Sequence, residues 1–144
     1  MSGAGTRLAV STLVPGQAEG DLFLLHEPLS FWGGLDAPSG RIIDRWHPQH
    51  GEIVSGRIMA MKAGRGSSSG SSVLAEAIRL GTGPSAILLL TRDAIVTVGA
   101  MIAAELYAKH CAVVLARADD WPLIAAAGRL SVDAGRVRAE IVIL

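Results

Sequence analysis

The sequence predicts an α/β domain: a mixed sheet, curled toward a half-barrel, with helices flanking one side. Three observations predict it. The first third of the chain alternates short apolar runs with dense turn formers, the middle alternates strand-like and helix-like segments, and the end reads as a hairpin. The 144 residues suit one domain with a substantial core. Residues 1–144 are therefore expected to form a single domain.

Residues 6–14, TRLAVSTLV, read as a strand, and Pro15-Gly16 turns the chain. Residues 21–26, DLFLLH, read as a second strand. LSFWGGLDAPSG, ending at Gly40, gathers Gly33-Gly34, Asp36, Pro38 and Ser39-Gly40 and reads as turns. RIID, residues 41–44, reads as a short strand, and a further strand falls around Ile58 to Met61. Val73, Leu74, Ala77 and Ile78 recur at helical spacing, with Gly81 as a stop, so a helix is expected near 71–80. AILLL, an all-apolar run, suits a strand buried on both faces. A helix rich in Ala and Gly follows from about Ala94 to Lys109, then a strand from Cys111 to Ala116. DDWPLIAAAG offers Asp119 or Asp120 as a cap and Pro122 in the first turn of a short helix. RLSVDAGRVRAEIVIL closes the chain as a hairpin turning at Asp133-Ala134-Gly135.

Composition excludes several functions. Thirteen Lys and Arg balance thirteen Asp and Glu, which leaves no basic excess for a nucleic-acid footprint. Six aromatic residues (three Trp, one Tyr, two Phe) are too few for a stacking platform. The three tryptophans, Trp32, Trp46 and Trp121, read as packing anchors. A charged fraction of 18% fits either a partner-covered surface or an interior rich in Ala and Val. The single cysteine, Cys111, builds neither a disulfide framework nor a cysteine-ligated cluster and reads as a buried small hydrophobe. The N-terminus lacks a signal-peptide pattern, and AIVTVGAMIAA (94–104) is too short to span a bilayer, so a cytoplasmic location is expected. His47-Pro-Gln-His50 resembles a metal pair, but its proline favours a turn and a structural histidine. No metal site is expected on this chain.

The chemistry concentrates in GRGSSSGSS, residues 64–72, between an expected strand and an expected helix. As a linker it would split the chain into halves too small to fold well. It lacks the Lys of a phosphate loop and the glycine spacing of a dinucleotide loop. Gly66-Ser67-Ser68-Ser69-Gly70 matches the letters of a serine-hydrolase elbow, with Asp93 and His110 in the usual order, although glycine/serine runs meet that pattern by chance. What remains is a set of hydroxyls and N–H groups at a helix N-terminus, suited to an anionic group or to a serine whose deprotonated form the helix end stabilises.

Three signatures in order carry a resemblance: Ser30-Phe31-Trp32-Gly33-Gly34-x-Asp36, Ile43-Asp44-x-x-His47-Pro48 and Gly64-Arg65-Gly66-Ser67, with GAMIAAELY further on. They resemble the small, swivelling domain of the aconitase X family over roughly residues 25–116. The resemblance implies a swivelling β/β/α fold. It also implies the small subunit of a hydro-lyase whose large subunit carries an iron–sulfur cluster, with the cluster iron acting on the departing hydroxyl.

Bacterial members dehydrate cis-3-hydroxy-L-proline and archaeal members mevalonate 5-phosphate. Eleven arginines against two lysines lean to the bacterial kind. In family terms Ser67 looks like the proton acceptor at Cα. Arg65, Gly66, Ser68, Ser69 and Gly70 would surround the substrate, Ser68, Ser69 and nearby N–H groups holding its carboxylate. True aconitases carry an arginine two places after that serine, where Ser69 stands here, which argues against a tricarboxylate substrate. A non-catalytic swivelling module that binds a partner is the competing class beside a serine hydrolase.

Overall fold

The structure, a computed structural model, describes residues 5–144. Its chain order is β1 (Thr6–Ala9), β2 (Ser11–Val14), β3 (Gly16–Leu24), the single turn α1 (Phe31–Gly34), β4 (Leu35–Asp36), β5 (Arg41–Ile42), β6 (Ile58–Met61), α2 (Ser69–Leu80), β7 (Ala86–Leu89), α3 (Ala94–Tyr107), β8 (Ala112–Leu115), a 3₁₀ turn (Ala118–Asp120), α4 (Trp121–Ala125), β9 (Arg129–Ala134) and β10 (Ala139–Ile143).

Eight strands hydrogen-bond in the order β1-β10-β9-β3-β6-β7-β8-β2. The expected half-barrel is closed by its first strand. TRLAVSTLV bends at Val10, so β1 pairs antiparallel with β10 while β2 pairs antiparallel with β8. The two edges of the sheet are thus two halves of one strand. β3 bends likewise. Gly16 to Asp21 pair antiparallel with β9, and Leu22 to Leu24 pair parallel with β6.

Strands β6, β7 and β8 run parallel, joined by α2 and α3. Alternation along them builds two apolar layers. Ile58, Ala60, Ala86, Leu88, Ala112 and Val114 point into the barrel with Leu130, Val132 and Ile141. Met59, Met61, Ile87, Leu89 and Val113 point outward, beneath Leu74, Ala77, Ile78, Val96, Ala100 and Ala103 of the helices. A parallel strand covered on both faces has no place for polar residues, which is why AILLL is apolar throughout. Fully burying a side chain of Leu or Ile size is worth roughly 1.5–3 kcal/mol.

Several boundaries differ from expectation for identifiable reasons. β3 begins at Gly16 rather than near Asp21, because Gln17, Glu19 and Asp21 face solvent and dilute the apolar signal. α2 begins at Ser69, so the serines of the run form its first turn. α3 stops at Tyr107, where Ala108 turns left-handed with φ 52°. Neither Asp119 nor Asp120 caps α4 through its side chain, since the chain enters that helix from the 3₁₀ turn. The final hairpin turns at residues 135–138, the Gly135 N–H donating to Arg138 O at 2.8 Å. Asp133 and Ala134 stay in β9, because Ala134 is buried in the barrel beside Leu130 and Val132.

Of the tryptophans, only Trp121 anchors packing. Trp32 is 61% exposed and Trp46 is 92% exposed, both in turns whose backbone, rather than the indole, carries the hydrogen bonding. No helix among the described residues is long and apolar enough to cross a membrane.

Candidate functional site

GRGSSSGSS leaves the C-terminal end of β6 and becomes the first turn of α2. Ligands of α/β sheets gather at the carboxyl ends of parallel strands. Arg65, Gly66, Ser67, Ser68 and Ser69 are exposed, whereas Gly70 is buried. The Ser67 carbonyl accepts from Gly70 N at 2.9 Å and the Ser68 carbonyl from Ser71 N at 3.1 Å. Among the described residues the N–H groups of Ser67, Ser68 and Ser69 have no protein acceptor. Ser68, at the cap position, makes no side-chain cap bond, and α2 has no acid in its first turn. Its positive end therefore meets no counter-charge from its own helix. α3 differs, because Asp93 caps it by accepting from Val96 N at 2.8 Å.

The two helix N-termini lie side by side. The Ser71 hydroxyl donates to Ile95 O at 2.7 Å. Gly99 admits the close crossing, since a Cβ there would stand 2.9 Å from Ser71 O and 3.1 Å from Leu74 Cδ2. A Cβ on Gly64 would collide with the Asp93 carboxylate. Gly70, grouped on sequence with the substrate-binding residues, is buried against α3. A Cβ on it would stand 3.1 Å from Ile95 Cγ2, and its N–H is already engaged by Ser67.

The first two signatures fold around the run. Gly66 has φ 111°, and a Cβ on it would collide with Ser30 Oγ, whose hydroxyl donates to Trp32 O at 3.0 Å. Asp44 lies 3.8 Å from Arg65 through Oδ2 and accepts from Trp46 N through Oδ1 at 2.9 Å. Asp36 instead closes its own turn, accepting from Ser39 N and Ser39 Oγ.

His47 is buried and structural. Its Nδ1 accepts from Gln49 N at 3.0 Å, which leaves Nε2 to donate to Glu27 O at 3.1 Å. Gln49, also buried, donates to Leu24 O and accepts from His26 N. Sequence reasoning passed over Gln49, and only burial singles it out. His110 does not meet the run. It follows the far end of α3, whose 14 residues span about 21 Å from Asp93, so no serine-hydrolase triad forms.

Among the described residues no three His, Cys, Asp or Glu side chains converge as metal ligands. Cys111 is buried, and that burial pushes its thiol up to about 12. These residues do not fit an iron–sulfur cluster. A surface concavity of about 700 Å³, lined by Arg7, Val10, Val137 and Arg138, shares no residue with the run.

Fold and site define a β/β/α domain that offers an open hydroxyl-and-amide face at the rim of its parallel strands. A family model described as the aconitase X swivel domain matches residues 7–141. The chain belongs to that family.

It is 49% identical over 98 residues to a cis-3-hydroxy-L-proline dehydratase of Pseudomonas aeruginosa, covering 68% of this chain and 17% of that protein. It is 39% identical over 124 residues to one of Hypocrea jecorina, covering 86% of this chain and 21% of that protein. The chain thus spans about a fifth of the length of these two relatives. A phosphomevalonate dehydratase small subunit of Pyrococcus furiosus is 45% identical over 91 residues, 63% of this chain and 68% of that protein. The crystal structure of Thermococcus kodakaraensis aconitase X in its holo-form superposes with TM-score 0.79 at 28% identity. It covers 97% of this chain and 99% of the other.

Proposed function

We propose that this chain, acting as one swivelling domain over residues 1–144, is the small subunit of a cytoplasmic dehydratase of cis-3-hydroxy-L-proline. The observation that supports this reading most is the run itself. Among the described residues, exposed serines present N–H groups without protein acceptors at a helix whose own first turn carries no acid. The chain carrying it is 49% identical over 98 residues to a dehydratase of that name.

In this reading the substrate carboxylate lies against the Ser68 and Ser69 hydroxyls and the free N–H groups, which hold it at the helix end. Ser67 takes the proton from Cα. The electron pair of that C–H bond forms the C2=C3 double bond, and the hydroxyl at C3 departs with its bonding pair. Proton and hydroxide together make the water lost. The enamine acid then tautomerises to a pyrroline-2-carboxylate. A serine hydroxyl is a feeble base, and its alkoxide requires positive potential. The end of α2 and the Arg65 guanidinium supply it from this chain.

The iron–sulfur cluster of the proposed enzyme belongs to the large subunit, and no step of this chain's chemistry is routed through it. Trp32, Ile43 and Trp46 are exposed in the turns that carry the first two signatures, and we assign them to the face that the large subunit covers. Neither nucleic acid nor membrane enters the proposal.

The second reading, a mevalonate 5-phosphate dehydratase, draws on the 45% identity to the Pyrococcus furiosus small subunit. Co-expression with a large aconitase X subunit and a coupled assay separates the two. The expected result is turnover of cis-3-hydroxy-L-proline by the complex and none by the isolated chain. Turnover of the phosphate ester alone would reverse the substrate, and turnover of neither would end the dehydratase reading.

A further inference from the structure

We infer that Asp44 is a positioning residue that holds Arg65 at the serine run, and that it acts on catalysis only through Arg65. The inference rests on the reading of the site above and adds to it a residue from a different signature.

The geometry assigns the two carboxylate oxygens different tasks. Oδ1 accepts from Trp46 N at 2.9 Å and shapes the turn, while Oδ2 faces Arg65 at 3.8 Å. That separation is an ion pair but too long for a hydrogen bond. The guanidinium makes no hydrogen bond among the described residues, so Asp44 restrains its charge without consuming its donors. An arginine tethered in this way keeps its planar fork free for a second anion, such as a substrate carboxylate or the alkoxide of Ser67.

The tether is itself anchored. Behind Asp44, the buried His47 and Gln49 bind the turn to the end of β3 through Glu27 O, Leu24 O and His26 N. The side chains of Arg65 and Asp44 are 49% and 23% exposed, so the tether is stiffer on the Asp44 side. Glycine neighbours leave Arg65 little packing of its own, and without Asp44 the long side chain would sample many rotamers.

Asp44→Asn is the discriminating variant, because the amide oxygen still accepts from Trp46 N while the charge is gone. In the reconstituted complex it should lower kcat/KM about two- to fivefold, the scale of a partly exposed ion pair. Asp44→Glu should restore part of the loss. In an Arg65→Ala background Asp44→Asn should have no further effect. Additive losses would overturn the inference, as would an Asp44→Asn enzyme faster than wild type, the outcome if Asp44 merely neutralises Arg65.

A second readout does not depend on turnover. In the ¹⁵N-labelled chain the Arg65 Nε–H should show a reduced heteronuclear NOE in Asp44→Asn, and an unchanged value would equally overturn the inference. Failure of the catalytic reading shows differently, as a Ser67→Ala complex that keeps full activity.

Discussion

If Ser67 is the proton acceptor proposed above, replacing it by Ala separates catalysis from stability. The Ser67 side chain is exposed, and among the described residues its hydroxyl makes no hydrogen bond. The structural task of Ser67 belongs to its carbonyl, which accepts from Gly70 N at 2.9 Å and is retained in alanine. The penalty of about 0.5–2 kcal/mol for losing a side-chain cap therefore does not apply. Surface changes of this kind stay within about 0.5 kcal/mol. At roughly 2–8 °C per kcal/mol for domains near this size, the melting temperature should move by about 4 °C at most.

On the proposed reading the catalytic term is larger. Loss of a positioned proton acceptor costs about 10²–10⁴ in rate, or roughly 2.7–5.4 kcal/mol of barrier at 1.36 kcal/mol per decade. The assay is kcat and kcat/KM of the reconstituted complex by coupled reductase, with a thermal melt and the cluster absorbance of the same sample. Expected are a 10²–10⁴-fold fall in kcat, near-native melting and intact cluster content. Ser68→Ala and Ser69→Ala should raise KM and leave kcat nearly unchanged, as groups that hold ground and transition states alike. A Ser67→Ala complex that melts well below the wild type yet turns over within a few fold of it would refute the reasoning.

Two further outcomes follow from the fold. Gly66→Ala should cost about 1–3 kcal/mol, because φ 111° is a conformation that side chains rarely adopt and the new Cβ meets Ser30 Oγ. Melting and activity should fall together, and an unchanged melt would show that the loop accepts a side chain. Cys111 should resist Ellman's reagent in the native chain. Burial raises its thiol to about 12 from a reference of 9.0, so the unfolded chain releases this proton first as pH rises. From about pH 9 to pH 12 the native state binds the extra proton and loses about 1.4 kcal/mol per pH unit, a loss that Cys111→Ala should remove in melts against pH.

The order of strands and helices was legible because periodicity is local. Val73, Leu74, Ala77 and Ile78 declare a helix face, and AILLL declares a strand covered on both sides. The run stood out too, since nine residues of Gly, Arg and Ser between a strand and a helix carry no apolar periodicity. By itself the sequence thus determined the element types and the family resemblance.

Tertiary structure decided the rest, because it depends on residues that meet across long sequence separations. Closure of the barrel hangs on a bend at Val10 that places β1 against β10 and β2 against β8, and no local pattern encodes partners more than 90 residues away. The approach of Ile95 to Gly70 is likewise invisible in the sequence and comes from the packing of α3 on α2. Asp44 is one acid among several turn residues in the sequence. Only the fold brings it within 3.8 Å of Arg65 and fixes its turn through the buried His47 and Gln49.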